Sequence, residues 1–263
     1  MRNYHSHTYL CRHATDKPID YVKVALQHGF NYYGVSDHAP MPNLSLLGSS
    51  RMLENEYSIY LNDLKEAADF AQGKLTFYKG LEVEYFDFYH DRYEMFLKDL
   101  DYLILGQHYI ILPDGRYLST YRLTSLEHII IYRDTLIKAL DSGYFNLLCH
   151  IGLCFYNIAN PTDEMIEALR PVIKRAKALD IPIEINANGF RKALKKGAFI
   201  RENAPYPRAD VFKMVKEENA NVIIQSDSHS LEDIYDWAII ESRQFVKDLG
   251  LKEIHALKMD YYK

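Results

Sequence analysis

Seven short apolar or β-rich runs alternate with longer segments of helical periodicity along this chain. The runs span residues 3–7, 32–36, 76–83, 102–106, 145–150, 182–186 and 221–226. Between them the pattern predicts helices over 20–28, 54–72, 89–99, 125–142, 162–179, 208–218 and 231–249. In the fifth helix Met165, Ile166, Leu169, Val172, Ile173 and Ala176 form one apolar stripe, and Pro171 predicts a kink or boundary within it. Thr124-Ser125-Leu126-Glu127 reads as a capping box, with Thr124 as N-cap and Glu127 reaching back. Asn160-Pro161 offers a cap followed by a proline at the first helical position. His28-Gly29 and Ser142-Gly143 read as helix ends with glycine just beyond.

Buried strands alternating with helices argue for a parallel sheet covered by helices. The chain carries neither GxGxxG nor GxxxxGK[ST], so a nucleotide-binding open sheet has no support. Polar residues close nearly every strand, as in a barrel whose site lies at the C-terminal strand ends. Seven strands predict a distorted TIM-like (β/α)7 barrel. Its 263 residues suit one domain spanning 1–263, since such barrels take about 250. The turn residues Leu112-Pro113-Asp114-Gly115-Arg116 lie between apolar runs and predict a hairpin over the barrel mouth.

The net charge of −5 disfavours a broad basic surface for nucleic acid. No apolar stretch approaches the roughly 18 residues of a membrane span, so no membrane partner is expected. Three cysteines, Cys11, Cys149 and Cys154, form no disulfide framework. With no leader-like apolar run at the N-terminus, this predicts a cytoplasmic location.

Of 11 histidines, seven fall at or after strand ends: His5, His7, His13, His38, His108, His150 and His229. Residues i and i+2 of a strand share a face, so His5 and His7 can grip one ion. Seven convergent imidazoles without a metal would crowd one mouth with partly protonated rings, and ligation removes that problem. A carboxylate can bridge two ions. Glu82 and Glu84 share one strand face, and spacing alone does not choose between them. Asp227 is either a ligand or the cap of the next helix. Cys11-x-His13 offers a further ligand pair, whereas Cys149 points away from His150 and reads as a packing residue.

An anionic substrate calls for cations at the mouth. Arg191, in Asn188-Gly189-Phe190-Arg191-Lys192, follows the sixth strand, and Arg208 lies on the same connection. Arginine suits phosphate through its planar fork. Lys192, Lys195 and Lys196 read as a solvated stretch.

Together these residues resemble the PHP (polymerase and histidinol phosphatase) family of metal-dependent phosphoesterases. The family order is a leading HxH, a histidine after the second strand, a glutamate, two single histidines and a closing DxH. Here it is met by His5/His7, His13, His38, Glu82, His108, His150 and Asp227/His229. Tyr-His-Ser-His-Thr, Ser-Asp-His-Ala, Gly-Leu-Glu-Val-Glu-Tyr-Phe and Asn-Gly-Phe-Arg-Lys look most like histidinol-phosphate phosphatases. Gly106-Gln107-His108 departs from the usual Gly-Ser-Val-His by one residue.

The resemblance implies two or three divalent transition metals (zinc, iron or manganese) in three positions. One is held by His5, His7, Glu82 and Asp227, a second by Glu82, His108 and His150, and a third by His13, His38 and His229. Glu82 is thereby preferred over Glu84 as the bridge. The implied reaction is hydrolysis of a small phosphorylated substrate, foremost L-histidinol phosphate, with Glu82 and Asp227 at the metals. Arg191, Arg208 and Asn188 would handle the substrate. Another small phosphomonoester or a nucleotide is the alternative. An amidohydrolase, which also begins with HxH, normally ends in a lone aspartate and often bridges its metals with lysine.

Overall fold

The structure is a computed structural model that describes residues 1–48, 50–195, 201 and 204–259. In chain order the strands are β1 (Arg2–Asn3), β2 (Tyr32–Val35), β3 (Thr76–Val83), β4 (Tyr102–Leu105), β5 (Tyr109–Ile111), β6 (Tyr117–Ser119), β7 (Leu147–Leu148), β8 (Ile183–Asn186), β9 (Asn221–Gln225) and β10 (Lys252–Glu253). The helices are α1 (Pro18–Gln27), α2 (Pro42–Ser45), α3 (Tyr57–Ala71), α4 (His90–Asp99), α5 (Leu126–Asp141), α6 (Asp163–Glu167), α7 (Arg170–Ala178), α8 (Ala187–Lys195), α9 (Ala209–Glu217) and α10 (Trp237–Leu249).

Eight strands form one parallel curled sheet in the order β1-β2-β3-β4-β7-β8-β9-β10. Its two ends meet where Ser6, after β1, bridges Ser228, after β9. His7 N–H donates to Ser228 O (2.8 Å) and Ser228 N–H to His5 O (3.3 Å). The result is the distorted TIM-like barrel. The seven expected strands are present: 76–83 keeps its bounds, the others are shorter, and 3–7 retains only Asn3 within β1. The eighth, β10, was not expected: it pairs only Lys252 and Glu253 against the lower half of β9. The turn at 112–116 joins β5 and β6 in an antiparallel hairpin, as predicted.

Alternation along the strands sorts their side chains into two layers. Leu81, Val83, Leu103, Leu105, Leu148, Ile183 and Ile185 point outward into the main core beneath the helices. Tyr4, Tyr102, Ile104, Leu147, Cys149, Ile223 and Leu257 fill the lower barrel interior as a separate cluster. Tyr102 lies across the barrel, and its hydroxyl donates to Tyr4 O (2.6 Å). A Cβ on Gly80 would stand 2.3 Å from the Tyr102 ring, so glycine there gives the ring its room.

Helix caps depart from expectation in two places. Ser125, not Thr124, caps α5 by accepting from His128 N–H (3.3 Å), and the His128 ring rather than Glu127 reaches back to Thr124 N–H. Thr162, not Asn160, caps α6 by accepting from Met165 N–H (3.3 Å), and Pro161 lies before the cap. The break at Pro171 appears as the division between α6 and α7. Gly29 and Gly143 adopt φ of 75° and 77° just past their helices, the left-handed turn that ends them. Residues 187–195, expected as loop, form α8 directly after β8. No described helix is long and apolar enough to cross a membrane.

Candidate metal centre

The inward face of β3 carries the organising residue. Tyr78 and Gly80 lie in the floor, and Glu82 is the next inward position above them. The Glu82 carboxylate rests over Gly106, where a Cβ would come within 1.9 Å of Oε1. A glycine after β4 is thus a condition for Glu82 to sit centrally. Gln107 then pins the loop, accepting from Tyr85 N–H (2.8 Å) and donating to Tyr109 O (2.7 Å). This double tie lets the short Gly106-Gln107-His108 connection still deliver His108 to the mouth.

Five rings surround Glu82. His150 Nε2 lies 2.7 Å from Oε1, and His108 Nε2 3.6 Å from it. His38 Nδ1, His7 Nε2 and His5 Nε2 lie 2.9, 3.5 and 3.6 Å from Oε2. Asp227 Oδ1 stands 3.0 Å from His7 Nε2 and 3.5 Å from His5 Nε2. His229 stacks on His7 with ring centres 4.3 Å apart, and His13 follows at 4.8 Å from His229. All nine predicted ligands therefore converge, in subgroups that partly differ from those implied. His5, His7 and Asp227 bring donor atoms within 4.8 Å of one another, as do His38, Glu82 and His108, and His7, His38 and His229. His13 is one ring further out than implied, with Nδ1 tied to Cys11 O (2.7 Å).

Glu82 and Glu84, inseparable by spacing, have different surroundings. Glu84 takes a buried two-point ion pair from Arg51 (2.8 and 3.0 Å) and receives His108 Nδ1–H at 3.2 Å. It orients a ring that itself faces Glu82. Glu184, a buried acid of β8, receives His5 Nδ1–H at 2.6 Å and His150 N–H at 2.9 Å. Asp37 sits 3.4 Å from His7 Nδ1 and is anchored by the Thr8 and His38 amides. Such partners fix the tautomer and leave the opposite nitrogen facing the centre. Neither Glu184 nor Asp37 was singled out from sequence. An acid inside Ile183-Glu184-Ile185 was a usable signal, because a buried carboxylate requires a partner.

Charge is unevenly shared in the cluster. Burial opposes ionisation of Glu82, but His108, His38 and His5 hold its carboxyl well below the usual range. Burial likewise opposes Asp227 ionisation, and His5, His7 and His229 overcome it. His38 and His229 are pushed well below the ordinary imidazole value by burial, with His7 adding repulsion. His150 and Asp227 adopt left-handed backbone, φ 26° and 51°, which non-glycine residues adopt at functional sites more than elsewhere.

The donor set fits transition-metal ions. Asp227 Oδ1, His38 Nδ1 and His150 Nδ1 are buried without a well-directed hydrogen bond, although His7 Nε2 lies 3.0 Å from the first and Glu82 Oε2 2.9 Å from the second. Two of these, Asp227 Oδ1 and His38 Nδ1, point into the cluster. Unpaired buried acceptors are costly, and imidazole with carboxylate suits zinc, iron and manganese.

The expected arginines are placed otherwise. Arg191 borders the mouth, but its guanidinium is committed: Nε to Asp236, Nη1 to Ser226 O, and Nη2 to Asp236, Ser226 Oγ and Asp233 O, at 2.7–3.0 Å. It buttresses the base of the Asp227–His229 turn, with most of its donors engaged there. Arg208 pairs two-pointed with Asp210 (3.1 and 2.6 Å) against the Phe155 ring, outside the cavity wall. Lys192, expected in solvent, instead lines the cavity beside Asn188, and Lys195 stands at its rim. Lys196 lies outside the described residues. Cys11 is buried, which pushes its thiol up, and its sulfur lies within 4.8 Å of donor atoms of His7 and Asp37. Cys149 packs in the barrel floor, as expected.

A family model described as PHP domain matches residues 3–188, well over half of the chain. The chain belongs to the PHP domain family. A protein of Deinococcus radiodurans named probable histidinol-phosphatase is 26% identical over 260 residues, covering 94% of this PHP chain and 92% of its own. A solved putative histidinol phosphatase from Listeria monocytogenes superposes with TM-score 0.72 at 19% identity, covering 90% of this chain and 98% of that one. The Lactococcus lactis histidinol phosphate phosphatase, solved with zinc, L-histidinol and phosphate, gives 0.71 at 18% identity over 98% of this chain and 96% of its own. At these identities the solved structures establish a shared PHP fold.

Proposed function

We propose that this chain is a metal-dependent phosphomonoester hydrolase that converts L-histidinol phosphate to L-histidinol and phosphate, with residues 1–263 acting as one domain. The carrying observation is the convergence of six imidazoles and two carboxylates on one cavity of about 320 Å³, with His5 beside Glu82 behind its wall. A relative named histidinol-phosphatase and the Lactococcus lactis complex support this substrate.

His5, His7, His13, His38, Glu82, His108, His150, Asp227 and His229 would hold two or three divalent ions, with zinc, iron and manganese all compatible. When bound, such ions supply Lewis acidity to phosphoryl oxygens and activate water near neutral pH. Glu82, reached by rings from both sides of the barrel, would bridge the ions. Glu184, Asp37 and Glu84 hold His5, His7 and His108 in register. Asn188 donates to Asp227 Oδ2 (3.2 Å) and faces the cavity, where it can orient both that carboxylate and a substrate. Arg191 secures the turn carrying Asp227 and His229.

The test is phosphate release by metal-loaded protein from L-histidinol phosphate, a nucleoside monophosphate and an aryl phosphate. Turnover of histidinol phosphate far above the others is the expected result. Comparable turnover of all three would remove the substrate assignment, and release from none would remove the phosphatase reading.

A further inference from the structure

We propose that Lys192 is the cation that receives the phosphoryl group of the substrate, a refinement that rests on the phosphomonoesterase reading of this cavity. The helix geometry supports it first. Asn188, Lys192 and Lys195 are spaced i, i+4 and i+7 on α8, so they share one helical face. All three border the cavity that contains the histidine cluster. Arg191, one residue away, also borders this cavity, but its guanidinium is engaged by Asp236, Asp233 and Ser226.

The ammonium is also held in a defined slot. Lys192 Nζ donates to Tyr121 Oη (3.2 Å) and stands 5.2 and 5.4 Å from the Tyr121 and Tyr206 ring centres. These rings are part of the site's wall: Tyr121 lies parallel to His108 at 6.3 Å, and Tyr206 lies 5.7 Å from His150. Two aromatic walls and one hydroxyl hold a cation without neutralising it. No described carboxylate forms an ion pair with Lys192 at contact distance. Lys192 is half-buried; burial opposes its charge, and the Tyr121 hydroxyl, then the Asp227 carboxylate, outweigh it. A half-desolvated, unneutralised ammonium beside a metal cluster suits an oxyanion, and lysine serves phosphate as a compact point charge.

The test uses metal-loaded wild type, K192M and K192R, with inorganic phosphate as probe. Calorimetric phosphate affinity should fall about 10- to 100-fold in K192M, the scale of one charged hydrogen bond, and KM should rise in parallel. Metal content and melting temperature should stay at wild-type values, and K192R should recover most of the loss. In the unmutated protein, saturating phosphate should protect Lys192 from an amine-acylating reagent, read by mass spectrometry. That arm decides the matter even where a variant fails to fold. Phosphate binding within twofold of wild type in metal-replete K192M, or acylation of Lys192 unaffected by phosphate, would overturn the proposal. If no phosphomonoester is hydrolysed yet phosphate binding depends on Lys192, the functional reading falls and this one stands.

Discussion

The floor and the mouth of the barrel interior are built on the same strands and obey opposite rules. On β3 the inward positions run Tyr78, Gly80, Glu82 and Glu84, and on β7 Leu147 and Cys149 precede His150. Below, tyrosine and aliphatic side chains fill space, and the polar tip of Tyr102 is satisfied by Tyr4 O. Above, most side chains are polar, and Glu82, Asp227, His5, His7 and His150 among them are buried. The floor gains from excluding water. The mouth retains buried charge that only further binding can satisfy. A short vertical step therefore separates a region built for stability from one built for a ligand.

Three substitutions would break or sharpen this contrast. Glu82→Gln should have the largest effect. It removes the charge shared by five rings, so metal content should fall and kcat/KM drop on the order of 10³-fold, the weight of lost metal chemistry. Elemental analysis with steady-state kinetics checks it, and full metal occupancy would deny Glu82 its bridging place. Glu184→Gln comes next. It weakens the orientation of His5 without touching the centre, and loss of such a partner typically costs about 10- to 100-fold in metal affinity or activity. A competitive chelator titration reads this directly, and unchanged affinity would reduce Glu184 to packing. Tyr102→Phe should be smallest, losing one floor hydrogen bond worth about 1 kcal/mol. Denaturant unfolding of the metal-free protein should register it while metal content stays unchanged. A fall in metal content would show that floor and mouth are not separable.

The alternation of apolar runs and helical stripes was enough for the barrel and its seven main strands, because buried parallel strands need continuous apolar residues. It was not enough for β10, where Lys252 and Glu253 carry no apolar pattern. Nor did it disclose α8, whose opening Ala187-Asn188-Gly189 contains two weak helix formers and whose inner face is polar. The nine convergent residues were legible as types recurring at strand ends. Direction was not. Arg191 and Lys192 are neighbours in sequence, yet helical geometry sends one into an ion pair and the other into the cavity. Glu184 and Asp37 were hidden because their role depends on rings delivered by other strands.

The bridge between Ser6 and Ser228 joins segments more than 200 residues apart in the chain. His5 and His7 flank one side of it, and Asp227 and His229 the other. The His5, His7 and Asp227 grouping thus has no counterpart in any nascent fragment ending before residue 227. Contacts so distant in sequence form late in folding. A variant truncated before Asp227 would therefore keep six of the seven imidazoles yet lack this grouping of donor atoms.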